Sequence, residues 1–515
     1  MRVVQNIQMQ LGEVDVSNVI LNFNSRDDIP RLLGGLRHLY TDKATRATLF
    51  KLLEDDFAPL VNKHTGRPGM TLWSTLVCAT IRLDLNIDYD RLAELVNHHD
   101  TIREMLGHSV CNDNLYTPQT LKDNISQLTP ALLDKVNQLI IKSGHALIDP
   151  KTGKKKDVPT TPPLHGRCDS FVVKTNAHFP TDISLLYDAV RKVITLTARW
   201  CEAYSLTDWR QYAYNVRHIK QTTRRAQNSK RGHAKTTDQE LLRQQYIAEA
   251  HQQLMDAATT YLTRAQATIA KMEQDGYNSV FDGVRGREIK HYIAHGDRQI
   301  DQINRRVLQG EDIPHEEKVF SLFAPHTEWI SKGKAGVPVE LGLKVCILED
   351  QHQFILHHHV MEHQADCEIA VMMVDEAKAR FPGLQSCSFD KGFYSKENQI
   401  ALEVRLSLVA MPRKGKLSQH AKAAEQAPDF VAAKQAHSAV ESAINGLEVH
   451  GLDKCLDHGI DGFKRYVALA VVARNIHRIG DLVWRQEAKI AKRKERKAAK
   501  QRWREANSAP LQKAA

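Results

Sequence analysis

Three carboxylates of this 515-residue chain, Asp169, Asp390 and Glu441, stand in surroundings suited to chemistry on a phosphodiester. Breaking or exchanging that bond uses two divalent cations about 3.5–4 Å apart, one activating the attacking oxygen and one stabilising the leaving oxygen. Mg²⁺ prefers oxygen ligands, so such a site must gather carboxylates; Mn²⁺ is the expected substitute. Asp169 lies near the start of RCDSFVVKTN, whose β-branched and aromatic residues read as a strand, and Asp390 ends a second strand, LQSCSFD. Neighbouring strands lie about 4.8 Å apart, close enough for two aspartates to share a cation. Glu441 falls on the helical stretch FVAAKQAHSAVESAINGLEVHG, where Val440, Ile444 and Leu447 form the apolar stripe and Asn445 and Glu448 follow Glu441 at i+4 and i+7. Glu448 is therefore the rival third carboxylate. Taken singly, Asp169 is equally a strand-end residue and Asp390 a turn residue.

The hydrophobic periods outline the scaffold these groups need. Residues from about 45 to 145 are helical with frequent breaks, and Leu92, Leu95 and Val96 recur at helical spacing behind an Asp88 N-cap. Such a series of short helices suits either a DNA-reading helix-turn-helix or a plain helical packing domain. The Pro, Gly and Lys content of DPKTGKKKDVPTTPPLHG marks a linker. Past the first strand, Asp182 opens the helix ISLLYDAVRKVITLTARW, and the chain then stays polar and helical, with Thr237 and Glu240 at capping-box spacing. From residue 337 the period becomes two: Val339, Leu341, Leu343, Val345 and Ile347 share a face, EDQHQ turns the chain and FILHHHVME returns as a hairpin. A helix, a strand, a short helix, a strand and a helix follow. This order predicts an α/β fold, an RNase H-like mixed-sheet catalytic core with a large helical insertion, preceded by a helical N-terminal domain. The expected divisions are 1–148, a linker at 149–166, a core at 167–485 interrupted at about 200–315, and a basic tail at 486–515.

The stretches CDSFVVKTNAHFPTDISLLYDAVRK, FSLFAPHTEWISKGKAGVPVELGLKV, SFDKGFYSKEN and VESAINGLEVHGLDKC, followed by FKRYVALAVVARNIHRIG, resemble the catalytic core of bacterial insertion-sequence DDE transposases, most of all the ISNCY group. The resemblance spans roughly residues 45 to 485. It implies that Asp169 and Asp390 are the catalytic aspartates and Glu441 the catalytic glutamate, that all three hold Mg²⁺, and that the partner is double-stranded DNA bound by a homodimer. The N-terminal part would then recognise element ends. One departure stands out: no Tyr-x-x-Arg-x-x-x-Glu-x-x-x-x-x-x-Lys signature surrounds Glu441, because Lys434 and His437 occupy the Tyr and Arg positions and Glu448 replaces the Lys. Two rivals share these residues, a nuclease of the same fold that cuts without strand transfer and a non-catalytic DNA-binding regulator descended from a transposase.

Charge is compatible with a polyanionic partner: 71 Lys and Arg against 61 Asp and Glu give +10. Candidate DNA contacts are Lys332 and Lys334 in SKGKAG, Lys391 beside Asp390, and Arg224 and Arg225 in RHIKQTTRRAQNSKRGHAK, which could follow a phosphate backbone or form a solvated loop. The tail places basic residues from Lys489 to Arg504 on an expected solvated or nucleic-acid-binding helix. Eight cysteines are scattered without a C-x-x-C pair, which disfavours a zinc ribbon or a disulfide framework. His357 and His359 can share a strand face, but edge-strand packing explains them better than a metal, and His291 and His295 read as surface helix residues. No signal-peptide pattern opens the chain and no stretch nears the roughly 18 apolar residues of a membrane span, so the expectation is a soluble bacterial cytoplasmic protein associated with the nucleoid.

Overall fold

The computed structural model describes residues 3–5, 13–56, 69–108, 115–148, 163–277, 279–331 and 338–508. The chain forms two compact units, residues 1–176 with 330–515, and residues 177–329. Lys332, Lys334 and most of the expected linker, 149–162, lie outside the described residues.

The first unit begins with seven helices, α1 (Ile29–Thr41), α2 (Lys43–Asp56), α3 (Leu72–Asp84), α4 (Tyr89–His98), α5 (Asp100–Met105), α6 (Pro118–Ile125) and α7 (Pro130–Ile148). Asp88 caps α4 by accepting from the Arg91 amide at 2.8 Å, as its sequence position suggests. Helix α3 is buried on every side, so these helices do not stand apart: their leucines join the sheet residues Val345, Ile347 and Phe389 in one core. The strands are β1 (Leu164–Thr175), β2 (Glu328–Ser331), β3 (Val339–Glu349), β4 (Ile355–Met361), β5 (Leu384–Phe389), β6 (Leu408–Ala410) and β7 (Lys454–Cys455). They form a mixed sheet ordered β2-β3-β1-β5-β6, with β4 also on β3 and β7 on β1. Strand β1 runs antiparallel to β3 and parallel to β5, β3 runs antiparallel to β4, and β5 runs parallel to β6.

Strand β1 starts at Leu164, inside the segment expected as linker, because Gly166 there is a strand residue rather than a turn. A Cβ at that position would press on Leu348, Leu384 and Cys387, 3.1–3.3 Å away. The hairpin β3–β4 forms with its turn over residues 350–354. From Leu343 on, β3 is buried on nearly every residue rather than on one face, since it is an interior strand.

The second unit is helical: α8 (Asp182–Ala203), α9 (Tyr212–Ser229), α10 (Thr237–Gln274) and α11 (Val280–Ile303). It starts earlier than the expected insertion boundary near 200. The apolar stripe of α8, with Leu186, Val190 and Val193, packs with Leu254, Leu262 and Ile293 of α10 and α11, so α8 belongs to this unit's core. Asp182 is the first residue of α8 and pairs with Arg306 at 2.6 Å, while Thr181 supplies the cap. Likewise Thr236, one residue before the expected position, caps α10. The basic stretch around Arg224 and Arg225 is the regular helix α9, not a loop, with both arginines exposed.

The first unit is completed by α12 (Asp366–Arg380), α13 (Lys396–Glu403), α14 (Gln419–Glu425), α15 (Pro428–His437), α16 (Ala439–Leu447) and α17 (Gly459–Ser508). The long helix α17 packs along α1, α7 and α3 through its first half. Its crossing with α1 is close because Gly35 and Gly480 carry no side chain: a Cβ on either would overlap a backbone carbonyl of the other helix. The basic tail continues α17 without a break, and residues 485–503 are exposed on all sides. No helix among the described residues is long and apolar enough to cross a membrane.

Candidate active site

Parallel pairing of β1 with β5 runs to Cys168 opposite Phe389, where β5 ends. The next residue on each chain is an aspartate, Asp169 and Asp390, so the sheet register itself sets these two side by side. On that edge of β1 the next described pairing is Lys174 and Thr175 with β7. Between them the edge lies open from Asp169 to Val173. The result is a cleft of about 650 Å³ that both Asp169 and its neighbour Ser170 line, although strand alternation sends their side chains to opposite faces.

Glu441 reaches the same cleft from α16. The stretch expected as one helix is two, α15 and α16, broken at Ser438. The end of α15 is held to the sheet: Arg167 of β1 donates to the Ala436 carbonyl at 3.4 Å, and the His437 ring meets the Ser388 hydroxyl at 3.0 Å. Helix α16 buries Val440, Ala443 and Leu447. The stripe is rotated from the expected one, so that Ile444 lines the cleft together with Glu441, Asn445 and Glu448. All four residues on this face thus line the cleft, Glu448 included.

The carboxylates feel one another across the cleft, although among the described residues their oxygens do not gather within 4.8 Å of one another as the ligand atoms of Asp84, His450 and His477 do. The Asp169 carboxyl is pushed up to about 6, first by burial and then by the negative charges of Asp390, Asp366 and Glu441; the Ser170 amide, 2.7 Å from Oδ1, pulls the other way. Burial also lowers the His437 imidazole from its ordinary value, against the pull of Asp390 and Glu441. The donors these side chains offer are all oxygens, the type a hard divalent cation prefers.

Asp366 was not singled out in the sequence. It is the first residue of α12, and an acidic residue there looks like ordinary compensation of the helix dipole. In the structure it accepts from the Ser170 hydroxyl at 2.7 Å and pairs with Lys344 Nζ at 3.2 Å, all three within the cleft. Among the expected DNA contacts, Lys391 is exposed directly after Asp390, whereas Arg224 and Arg225 belong to the other unit. Arg225 donates to Gln253 at 2.7 Å and lies over the Tyr246 ring.

On β4, burial holds His357 down at about 2 and His358 at about 4, Arg380 meets His357 at 3.0 Å, and the part-exposed His359 meets Gln364 Oε1 at 2.8 Å. A separate grouping, Asp84, His450 and His477, brings its ligand atoms within 4.8 Å of one another. Its internal bonds already account for it, with His477 Nδ1 3.0 Å from Asp84 Oδ1 and His450 Nδ1 on the Asp84 carbonyl. No known protein family, curated protein or solved structure matches this chain.

Proposed function

We propose that the chain is an insertion-sequence DNA transposase whose DDE carboxylates are Asp169, Asp390 and Glu441. The observation that carries this reading is the convergence, on one open cleft, of three acidic residues drawn from separate stretches of sequence, with Asp169 feeling the charge of the other two. The strand order β4-β3-β1-β5-β6, antiparallel on one side of β1 and parallel on the other, supports an RNase H-like core.

Asp169, Asp390 and Glu441 would hold Mg²⁺, with Mn²⁺ as substitute, and the bound ions supply activation of the attacking oxygen and charge relief at the leaving oxygen. The chain's own part is to gather and aim the carboxylates. Register fixes the two aspartates, and the Val440–Ala443–Leu447 stripe fixes the rotation of α16 that presents Glu441. Asn445 and Ile444 form the wall beside them. Water attacks the phosphodiester at the element's end and frees a 3′-hydroxyl; that hydroxyl then attacks a target phosphodiester, breaking its P–O3′ bond and releasing the target strand's 3′-hydroxyl, and no covalent enzyme intermediate is needed. The N-terminal helices serve end recognition, Lys391 and the basic faces of α9 and α17 follow DNA backbone, and a homodimer holds two ends on bacterial chromosomal DNA.

The joining step separates a transposase from a nuclease of the same fold. Supplied with a pre-cut duplex from the DNA flanking the gene, the protein with Mg²⁺ is expected to join its 3′ end covalently to a target plasmid. Cleavage without any joined product would assign the nuclease instead.

A further inference from the structure

A cleft lined by carboxylates repels the polyanion it must admit unless a cation lies within it. Among the described residues lining this cleft Lys344 is the one cation, since Glu448 adds a further acid on the α16 side. Lys344 stands on β3 directly across from Val172 of β1, on the side of β1 away from β5, and its side chain lines the cleft together with Ser170 and Asp366. Its ammonium is held 3.2 Å from Asp366 Oδ2, and the other oxygen of that carboxylate takes the Ser170 hydroxyl at 2.7 Å. The pair is neither sealed nor fully solvated, with the Lys344 side chain 30 % and the Asp366 side chain 20 % exposed.

Resting on the transposase reading, we propose that Lys344 is the phosphate-binding cation of the cleft, and that Asp366 parks it until DNA arrives. Its ligand is a phosphodiester of the strand being cut, lying in the cleft beside the bond that the carboxylates act on. An ammonium is well suited to this exchange. It is a point charge on a flexible stem, able to leave one anion for another without the fixed geometry an arginine fork demands. Ser170 keeps Asp366 in place when the lysine leaves, so the carboxylate does not swing into the substrate's path. Asp366 acts through Lys344 and is a positioning residue.

Opposite signs distinguish this arrangement from a merely structural ion pair. The full-length protein is titrated with a duplex taken from the DNA flanking its gene, in EDTA and again in Ca²⁺, across a range of salt. Lys344→Met is expected to weaken binding about tenfold and to lower the slope of log affinity against log salt by about 1, with Lys344→Arg restoring much of the slope. Asp366→Asn is expected to tighten binding, and that gain is expected to vanish in the Lys344→Met/Asp366→Asn double variant. Thermal unfolding of each variant checks that it is folded. An unchanged salt slope in folded Lys344→Met, or a gain from Asp366→Asn that survives in the double variant, overturns the proposal. If the wild type binds but makes no metal-dependent breaks, the transposase reading fails while the binding series still decides the role of Lys344. A wild type that does not bind the duplex overturns both.

Discussion

Asp169 carries the electrostatic cost of the site. Its carboxyl prefers the proton up to about pH 6 in the folded protein, against an ordinary value of 3.8. The folded state therefore binds this proton more tightly than the unfolded chain does. The stability this group contributes is fully present below about pH 4, is lost as pH rises through about 6, and levels off above. Asp169→Asn removes the charge and keeps an acceptor for the Ser170 amide. In EDTA at pH 8 it is expected to be more stable than the wild type by about 1–2 kcal/mol, after allowance for partial solvation, with the difference closing below pH 4. Thermal melts across that range check this; an Asn variant that is less stable at pH 8 would speak against a crowded anionic site. Asp169, Asp390 and Glu441 were legible in the sequence because each sits in a recognisable local pattern. Asp366 was not, because its partners Ser170 and Lys344 lie 196 and 22 residues away and only the fold joins them.

At the scale of elements, the knot of Asp84, His450 and His477 ties the end of α3 to α17 and to the kinked turn after α16. Asp84 is fully buried, and His477 is raised above its ordinary 6.5: burial pulls it down, but the hydrogen bond and charge of Asp84 outweigh that, with Asp481 and Asp28 adding to them. The stabilisation is thus fully present below pH 6.5 and is lost as pH rises through the raised value. His477→Leu strands a buried carboxylate and is expected to cost about 3 kcal/mol at pH 6, shrinking toward pH 9, as read by urea unfolding. A cost that does not change with pH would mean that packing, not charge, makes the tie. Elements were legible where one period dominates, as in the hairpin β3–β4. They were misread where tertiary contacts decide. The stripe of α16 turns on whether Ala443 or Ile444 faces the core, and only β1 and α17 settle that. The start of β1 at Leu164 hides behind a glycine that reads as a turn but serves close packing.

On the scale of the whole molecule, the apolar residues divide into two large cores, one around the sheet and one within the helical unit. The sequence pattern indicated a helical insertion, but it could not show that α8 belongs with it or that the N-terminal helices merge with the sheet, since any apolar stripe is silent about its partner. The basic half of α17 adds little to either core, being exposed throughout from 485 to 503. Ending the chain at Ala488 is expected to leave the melting temperature within a few degrees of the full protein while weakening duplex binding and flattening its salt dependence. Loss of the fold on truncation would show that the helix has a structural duty instead. The central claim, that three carboxylates form one DNA-cutting site, is met most directly by cleavage of a supercoiled plasmid carrying the DNA that flanks the gene, with Mg²⁺ or EDTA. The wild type is to be compared with Asp169→Ala, Asp390→Ala, Glu441→Ala and Glu448→Ala. Mg²⁺-dependent breaks at the element ends are expected to vanish in the first three variants and to persist in the fourth. A Glu441→Ala protein that still cuts while Glu448→Ala does not would move the third ligand about two turns on, to the end of α16, and a wild type that binds but never cuts would contradict a catalytic carboxylate site outright.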